Sequence, residues 1–263
     1  MLLDVHCHVD HYDDPLTVLN EAERRGVFIL SVTNLPSHFE EGQNHLRRYA
    51  NVRGALGMHP LHAGEHSGEM SAFRRLLDCT TFVGEVGLDG SREAGETMAV
   101  QEKSLDRILA AVSGSVSGKI LSLHSRRAEK RVLSLLQEHR IRKAVFHWYS
   151  GPLGLVDDIL ASGYYFSINP KMCGTEHGQK LLSRIPMSRM LTETDGPFAG
   201  PRGRPYMPWD AAIALAGVAA AKECTERQAR EAVWANFRDL TGSPPKVPVR
   251  PPRRGTVGEA VAE

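Results

Sequence analysis

Two histidines near the amino terminus have a spacing that suggests metal chemistry. His6 and His8 flank Cys7 at the end of the mainly apolar run 1–5. Side chains at positions i and i+2 of a strand point to the same side, so the two imidazoles face one way and Cys7 faces the other. Neutral imidazole is the commonest metal ligand in proteins. The pair alone is a weak signal, because two ordinary histidines at a strand end would look the same.

Similar side chains recur where later apolar runs end. They are His59 in G-M-H-P, Glu85 in G-E-V-G-L-D, His124 in H-S-R, His147 in F-H-W-Y-S-G and Asp195 in E-T-D-G-P. Each residue alone has an ordinary structural explanation. Even without His59, the four histidines His6, His8, His124 and His147 are enough, together with one glutamate and one aspartate, to hold two divalent cations about 3.5–4 Å apart, with a carboxylate bridging them. This joint placement carries the hypothesis of a metal site.

Eight short apolar runs, alternating with helical patterns, must position these residues. The predicted strands cover 1–5, 27–32, 52–58, 82–86, 119–123, 143–146, 164–168 and 189–193. Continuous apolar runs are typical of strands that are covered on both faces. Eight repeats of strand and helix predict an α/β fold, a single (β/α)8 TIM barrel in which the carboxyl ends of the strands converge on one face. A doubly wound open sheet is the alternative, although it would usually have fewer strands.

The composition limits the location and the partners of the chain. The formal net charge is +1, so any attraction to nucleic acid must come from a local patch. The four cysteines include no C-x-x-C pair, which fits a reducing compartment better than a zinc ribbon or a disulfide framework. The first strand leaves no room for a signal peptide, and no apolar run has the length of a transmembrane span. We therefore expect a cytoplasmic protein with no membrane partner.

One domain boundary is predicted near the carboxyl terminus. Residues 1–242 contain the strand and helix repeats and are expected to form a single TIM-barrel domain that carries the metal site. Residues 243–263 are rich in proline and arginine and contain little that could be buried. We expect this segment to be a disordered tail.

The ordered motifs H-C-H, G-M-H-P, E-V-G-L-D, H-S-R, F-H-W-Y-S-G and E-T-D-G-P resemble the motif series of the TatD family of metal-dependent deoxyribonucleases. The resemblance covers the chain up to the tail and implies a TIM barrel of the amidohydrolase-like type. It implies that one metal is held by His6, His8, Glu85 and Asp195, and a second by Glu85, His124 and His147, with Glu85 bridging. The implied activity is hydrolysis of DNA, often exonucleolytic from the 3′ end, with magnesium or manganese.

A finer resemblance concerns the biological setting. The run Ser31–Pro36 and the shorter tail region are similar to the TatD-like member of the bacterial Qat anti-phage cluster. This similarity implies a role in antiviral defence, with other proteins of a defence cluster as partners. The chain departs from the family pattern at Gly90, where many members have an aromatic residue, and at Tyr206–Pro208, which replaces an Asn-Glu-Pro sequence. Neither departure changes a residue that the resemblance implies as a metal ligand, but both leave the range of substrates undetermined.

Catalytic roles follow from the ligand set as hypotheses. Asp195 would take the proton of the attacking water, Glu85 would bridge the cations, and His59 would assist at the phosphate. Imidazole-rich ligand sets suit zinc or manganese better than magnesium, so the identity of the metal stays open. Two alternatives remain: a barrel hydrolase of a small amide, ester or lactone, and a defence subunit that depends on partners and has little activity alone.

Substrate contacts are predicted around the same mouth of the barrel. Besides His59, the candidates for phosphate binding are Arg126, whose fork matches phosphate, and Arg202 and Arg204 in the Gly/Pro loop after the last strand. Trp148 and Tyr149 flank His147 and could stack on a base, although core packing is at least as good an explanation for Trp148. Asp89 is either a brace for the metal site or a loop cap.

Overall fold

The computed structural model describes residues 1–115 and 118–242, so the predicted tail lies outside the described residues. Eight parallel strands lie side by side in chain order, each hydrogen-bonded to the next. They are β1 Leu2–Cys7, β2 Val27–Ser31, β3 Val52–Met58, β4 Phe82–Gly87, β5 Ile120–His124, β6 Ala144–Phe146, β7 Tyr165–Ile168 and β8 Met190–Thr192. The predicted (β/α)8 barrel is thus confirmed, and the open-sheet alternative is wrong.

Contacts between the ends of β8 and β1 bring the sheet close to a closed barrel. The Asp195 N–H, just after β8, donates to the His6 carbonyl at 2.9 Å. The buried Asp4 carboxylate on β1 accepts from the Thr194 N–H at 3.0 Å and from its hydroxyl at 2.6 Å. These bonds hold the first and last strand ends together, so residues distant in sequence become neighbours at one mouth.

Helices surround the strands. They are α1 Pro15–Arg25, α2 Pro36–Leu46, α3 His66–Leu76, α4 Met98–Ser113, α5 Glu129–Glu138, α6 Val156–Ala161, α7 Pro170–Cys173, α8 Glu176–Arg184, α9 Ala211–Ala221 and α10 Glu226–Thr241. Among the described residues, none of these helices combines the length and apolar character needed to cross a membrane.

Local sequence signals explain some helix ends better than others. The Asp14 side chain caps α1 by accepting from the Thr17 N–H at 3.0 Å, and Gly26 ends it in the left-handed conformation, as the sequence predicts. Helix α3 begins at His66, whereas the sequence pattern suggests Ser71. The residue before α3 makes no side-chain capping bond, so its start carries no capping signal.

The hydrophobic core lies between the strands and the helices that cover them. Val83, Leu109, Phe146 and Phe166 are all completely buried there. Burying a side chain of this kind stabilises the fold by about 1.5–3 kcal/mol. The apolar residues therefore fix the strands, and the polar residues at their carboxyl ends are held in place by this packing.

Candidate metal centre

Glu85 on β4 lies at the centre of a cluster of imidazoles and is only 2% exposed. Its Oε2 lies 3.2 Å from His6 Nε2 and 3.1 Å from His8 Nε2. Its Oε1 lies 2.6 Å from His124 Nδ1 and 3.2 Å from His147 Nε2. The two oxygens of one carboxylate thus face two separate pairs of histidines, which is the arrangement that a bridging ligand needs.

Asp195 completes the first of these two groups. Its Oδ1 lies 3.7 Å from both His6 Nε2 and His8 Nε2. Its backbone φ is +55°, in the left-handed region, which aspartate tolerates better than most residues. Burial raises the pKa of Asp195 to about 7, although the nearby histidines oppose the shift. A carboxyl group with such a pKa can exchange a proton near neutral pH.

The second ring nitrogen of two histidines is held by a buried partner. His6 Nδ1 lies 2.8 Å from Ser122 Oγ, and His147 Nδ1 lies 3.2 Å from Glu193 Oε1. The Ser167 hydroxyl also donates to Glu193. If the ring protons sit on these Nδ1 atoms, both Nε2 atoms keep a lone pair for a cation. Such partners orient metal-binding histidines and raise their basicity.

His124 faces Glu85 through Nδ1, whereas His6 and His147 face it through Nε2. Its Nε2 lies 2.8 Å from Asp89 Oδ2, so Nδ1 is the ring nitrogen that faces Glu85, at 2.6 Å from Oε1. Asp89 Oδ1 also accepts from the Ser91 N–H at 2.7 Å. Asp89 therefore has both roles considered from the sequence: it orients His124 and it caps a loop.

Charge within the cluster changes the protonation of its members. Although burial favours the neutral form, the surrounding histidines hold the pKa of Glu85 well below its usual value. Burial opposes charge on His124 too, but the Glu85 and Asp89 carboxylates raise its pKa to about 9. Burial lowers the pKa of His6 well below its usual value. An ionised carboxylate surrounded by imidazoles, which bind a cation once they lose their extra protons, is the chemistry of a divalent-cation site.

His59 belongs to the cluster but differs from the four histidines predicted to be metal ligands. Its Nδ1 accepts from the Leu61 N–H at 3.1 Å, which places the ring proton on Nε2, 3.4 Å from Glu85 Oε1. Burial lowers the pKa of His59 to about 4, so the ring is neutral. A neutral ring that carries its proton toward the cavity is suited to donate a hydrogen bond rather than to bind a cation.

A cavity of about 650 Å³ opens over the cluster. Its wall includes His59, Arg126, Trp148 and Phe198. The Arg126 guanidinium, 49% exposed, donates to the Glu93 carboxylate at 2.7 Å. The structure therefore places two predicted phosphate contacts, His59 and Arg126, beside the cluster.

The other two predicted arginines lie elsewhere. Arg204 pairs with Asp210 at 2.6 Å and lines a separate cavity of about 370 Å³. Arg202 is exposed and lines neither of these cavities.

The two aromatic residues after His147 have different environments. Trp148 lines the cavity, but Tyr149 is 1% exposed and its hydroxyl donates to the Pro152 carbonyl at 2.8 Å. The prediction that Tyr149 stacks on a base is wrong, because core packing covers its ring. Sequence reasoning also missed Glu193 and Ser122 as partners of cluster histidines. The one available signal was a charged residue, Glu193, at the end of an apolar strand.

Comparison with known proteins identifies relatives of the chain. The family model described as TatD related DNase matches residues 3–242. The human protein named deoxyribonuclease TATDN3 is 27% identical over 257 residues, which cover 91% of this chain and 94% of the relative. A protein from Erwinia tasmaniensis, named 3′-5′ ssDNA/RNA exonuclease TatD, is 34% identical over 161 residues, which cover 58% of this chain and 61% of the relative. The crystal structure of YJJV, a TatD homolog from Escherichia coli, has the same fold, with a TM-score of 0.78 at 23% identity over 92% of this chain and 98% of that one.

Proposed function

This chain belongs to the TatD-related DNase family and is a metal-dependent hydrolase, and from that premise we propose that it hydrolyses DNA phosphodiesters with two divalent cations. The observation that carries the proposal is Glu85, whose two carboxylate oxygens face separate pairs of imidazoles. The first cation would be held by His6, His8, Glu85 and Asp195, and the second by Glu85, His124 and His147. Three groups in this cluster, among the described residues, have ligand atoms within 4.8 Å of one another: His6, His8 and Asp195; His6, Glu85 and His147; and His59, Glu85 and His124.

Bound divalent cations lower the pKa of water and neutralise charge on phosphate oxygens. The chain supplies the remaining functions. Asp195 takes the proton of the attacking water, since its carboxylate lies in the first group, 3.7 Å from His6 Nε2 and from His8 Nε2. His59 donates its Nε2–H to a phosphate oxygen as negative charge develops there. Arg126 exchanges its exposed partner Glu93 for a phosphate, whose geometry its fork matches.

We further propose that the chain acts exonucleolytically from the 3′ end of single-stranded DNA. The support is the printed name of the Erwinia relative and the motif resemblance described above. Family resemblance favours magnesium or manganese, whereas the imidazole-rich ligand set favours zinc or manganese. All three cations therefore belong in the test.

One assay separates this function from its alternatives. Metal-stripped protein is loaded with magnesium, manganese or zinc and offered single-stranded DNA, duplex DNA, RNA and a panel of amides, esters and lactones. Degradation of DNA supports the proposal. Turnover of the panel alone supports a small-molecule hydrolase, and absence of any turnover, together with stable binding to partner proteins, supports a defence subunit.

We also propose that the nuclease acts in the cytoplasm as part of an anti-phage defence, with proteins of a defence cluster as its partners. The support is the resemblance of Ser31–Pro36 to the TatD-like member of the Qat cluster. Cells that carry the whole cluster should form fewer phage plaques than cells in which the nuclease has the substitution Asp195→Asn. Equal plaque numbers in both strains would contradict the role of hydrolysis in defence.

A further inference from the structure

Phe198 is an aromatic side chain left open to water at the edge of the metal cluster. It is 58% exposed, more than any other large hydrophobic side chain in residues 1–115 and 118–242. Its ring centroid lies 4.8 Å from that of His8 and 5.0 Å from that of His11. The interplanar angles are 76° and 52°, so neither histidine forms a parallel stack with it. The ring is thus positioned by the site but not covered by it.

Phe198 also belongs to the walls of two cavities. One is the cavity of about 650 Å³ over the metal cluster, and the other is the cavity of about 370 Å³ formed largely by the loop between residues 197 and 205. His11 is the other residue that lines both. The reaction proposed above uses the first cavity only, so the second cavity and the exposed ring still require an explanation.

We propose that Phe198 is a platform on which an unpaired base of the substrate stacks, and that the second cavity receives the adjoining nucleotide. This proposal rests on the proposed DNA hydrolysis and adds a specificity determinant to it. An aromatic ring can stack on any base, because every base has a π-face, so the contact is tolerant of sequence. Since the ring touches the ligand histidine His8, a base joined to the phosphate at the cluster lies within its reach.

The stacking platform discriminates between strand forms. In a duplex both faces of an internal base are covered by its neighbours, and a base must leave the stack before a side chain can cover it. An unpaired base at a strand end offers its face without that cost. Arg204, which lines the second cavity, supplies a cation for the phosphate of the adjoining nucleotide. Phe198 therefore favours single-stranded ends over duplex DNA.

Fluorescence of 2-aminopurine, which falls when this base analogue stacks, provides a direct test. The analogue is placed in turn at successive positions from the 3′ end of a single-stranded oligonucleotide. The quench is recorded by stopped flow, before hydrolysis, with magnesium-loaded protein. We expect quenching at one position with the wild type and with Phe198→Trp, and its loss with Phe198→Ala. Ile213→Ala, which removes an apolar side chain that is 45% exposed outside both cavities, should retain the quench.

Steady-state kinetics give a second readout. Stacking contributes about 1–3 kcal/mol per base, so Phe198→Ala should raise KM for single-stranded DNA by about 5- to 150-fold. The contact holds the substrate and the transition state equally, so kcat should be unchanged. The preference for single-stranded over duplex DNA should narrow in the same variant, because only unpaired ends gain from the platform.

The outcomes for stacking and for hydrolysis can be separated. If the wild type degrades DNA and Phe198→Ala keeps its quench and its KM, the platform is refuted while the nuclease stands. If the wild type shows the Phe198-dependent quench but no DNA hydrolysis, the nuclease is refuted while the platform stands. Absence of quenching with the wild type at every position overturns the platform, whatever the rate of hydrolysis.

Discussion

The metal cluster and the rim of its cavity differ in how their side chains are held. In the cluster, Glu85 is buried at the end of a strand, and ligand histidines such as His147 are held by a second buried partner. At the rim, Arg126 and Phe198 lie on loops, and the only ion pair described for Arg126 is an exposed one with Glu93. Removing one partner of a buried polar pair leaves the other uncompensated, whereas an exposed ion pair contributes about 0–1 kcal/mol. We therefore expect the cluster to set the chemistry and the rim to tune the choice of substrate.

The largest effect is expected from Asp195→Asn. This change keeps an oxygen near His6 and His8 but removes the proton acceptor, so kcat should fall about 10²- to 10⁴-fold. Metal content, measured by elemental analysis, should stay near that of the wild type. Asp157→Asn, which alters an exposed carboxylate paired with Arg184, is the matched control and should leave both quantities unchanged. Unaltered turnover in Asp195→Asn would refute the proton-acceptor role.

Next in size are the carboxylates that orient the ligand histidines. Glu193→Gln removes the charged acceptor of the His147 Nδ1–H, and Asp89→Asn that of the His124 Nε2–H. Each change should weaken metal binding about 10- to 100-fold, as observed for such partners in other sites. Competition titration against a metal chelator measures this directly. If both variants bind metal as tightly as the wild type, the buried partners do not contribute to metal binding. The proposed difference between the cluster and the rim would then be contradicted.

Metal affinity should also depend on pH. His124 must lose a proton before its Nδ1 can bind a cation, and its pKa is about 9. Protons therefore compete with the metal for this ring, so metal affinity should fall as pH falls below about 9. Calorimetry in buffers of different ionisation enthalpy should detect release of protons on metal addition. An affinity that does not change with pH would contradict this assignment.

The smallest effects are expected at the exposed ion pair of the rim. Arg126→Ala should weaken DNA binding and reduce the slope of log affinity against log salt by about 1, because one phosphate contact is lost. Glu93→Gln removes the charged partner of the Arg126 guanidinium and should therefore lower KM, by less than about fivefold. The salt slope of Arg204→Ala should be compared with that of Arg126→Ala, because Asp210 holds Arg204 at the second cavity and not at the metal cluster. Equal salt slopes for wild type and Arg126→Ala would remove Arg126 from the phosphate contacts.

Local patterns in the sequence were sufficient for the fold and for the ligand candidates. Strand alternation placed His6 and His8 on one side, and the structure brings both onto Glu85 Oε2. The eight apolar runs predicted the barrel because a strand covered on both faces has a recognisable composition. Since the carboxyl ends of barrel strands converge, the meeting of Glu85, His124 and Asp195 at one mouth followed from the topology. Which of these residues hold a metal, how many ions bind, and whether 1–242 is a single domain stay predictions.

Other features depended on contacts between residues far apart in the chain. Glu193 holds His147, and Ser122 holds His6, across separations that no short-range periodicity records. The choice of ring nitrogen, Nδ1 in His124 against Nε2 in His147, likewise depends on which partner the fold brings to the other side of each ring. These assignments therefore required the tertiary structure.

The loops show the same division between what the sequence by itself determined and what only the fold decided. Its place in the chain beside His147 put Tyr149 near the site, but only packing buried its ring. Packing also left Phe198, which the sequence did not single out, open to the cavities. Packing of the loops also brought Arg126 beside the cluster and Arg204 beside Asp210. The physical reason is that a strand or helix repeats its geometry, so spacing along the chain predicts direction. An irregular loop has no period, and its side chains take their positions from whatever surface the rest of the fold presents.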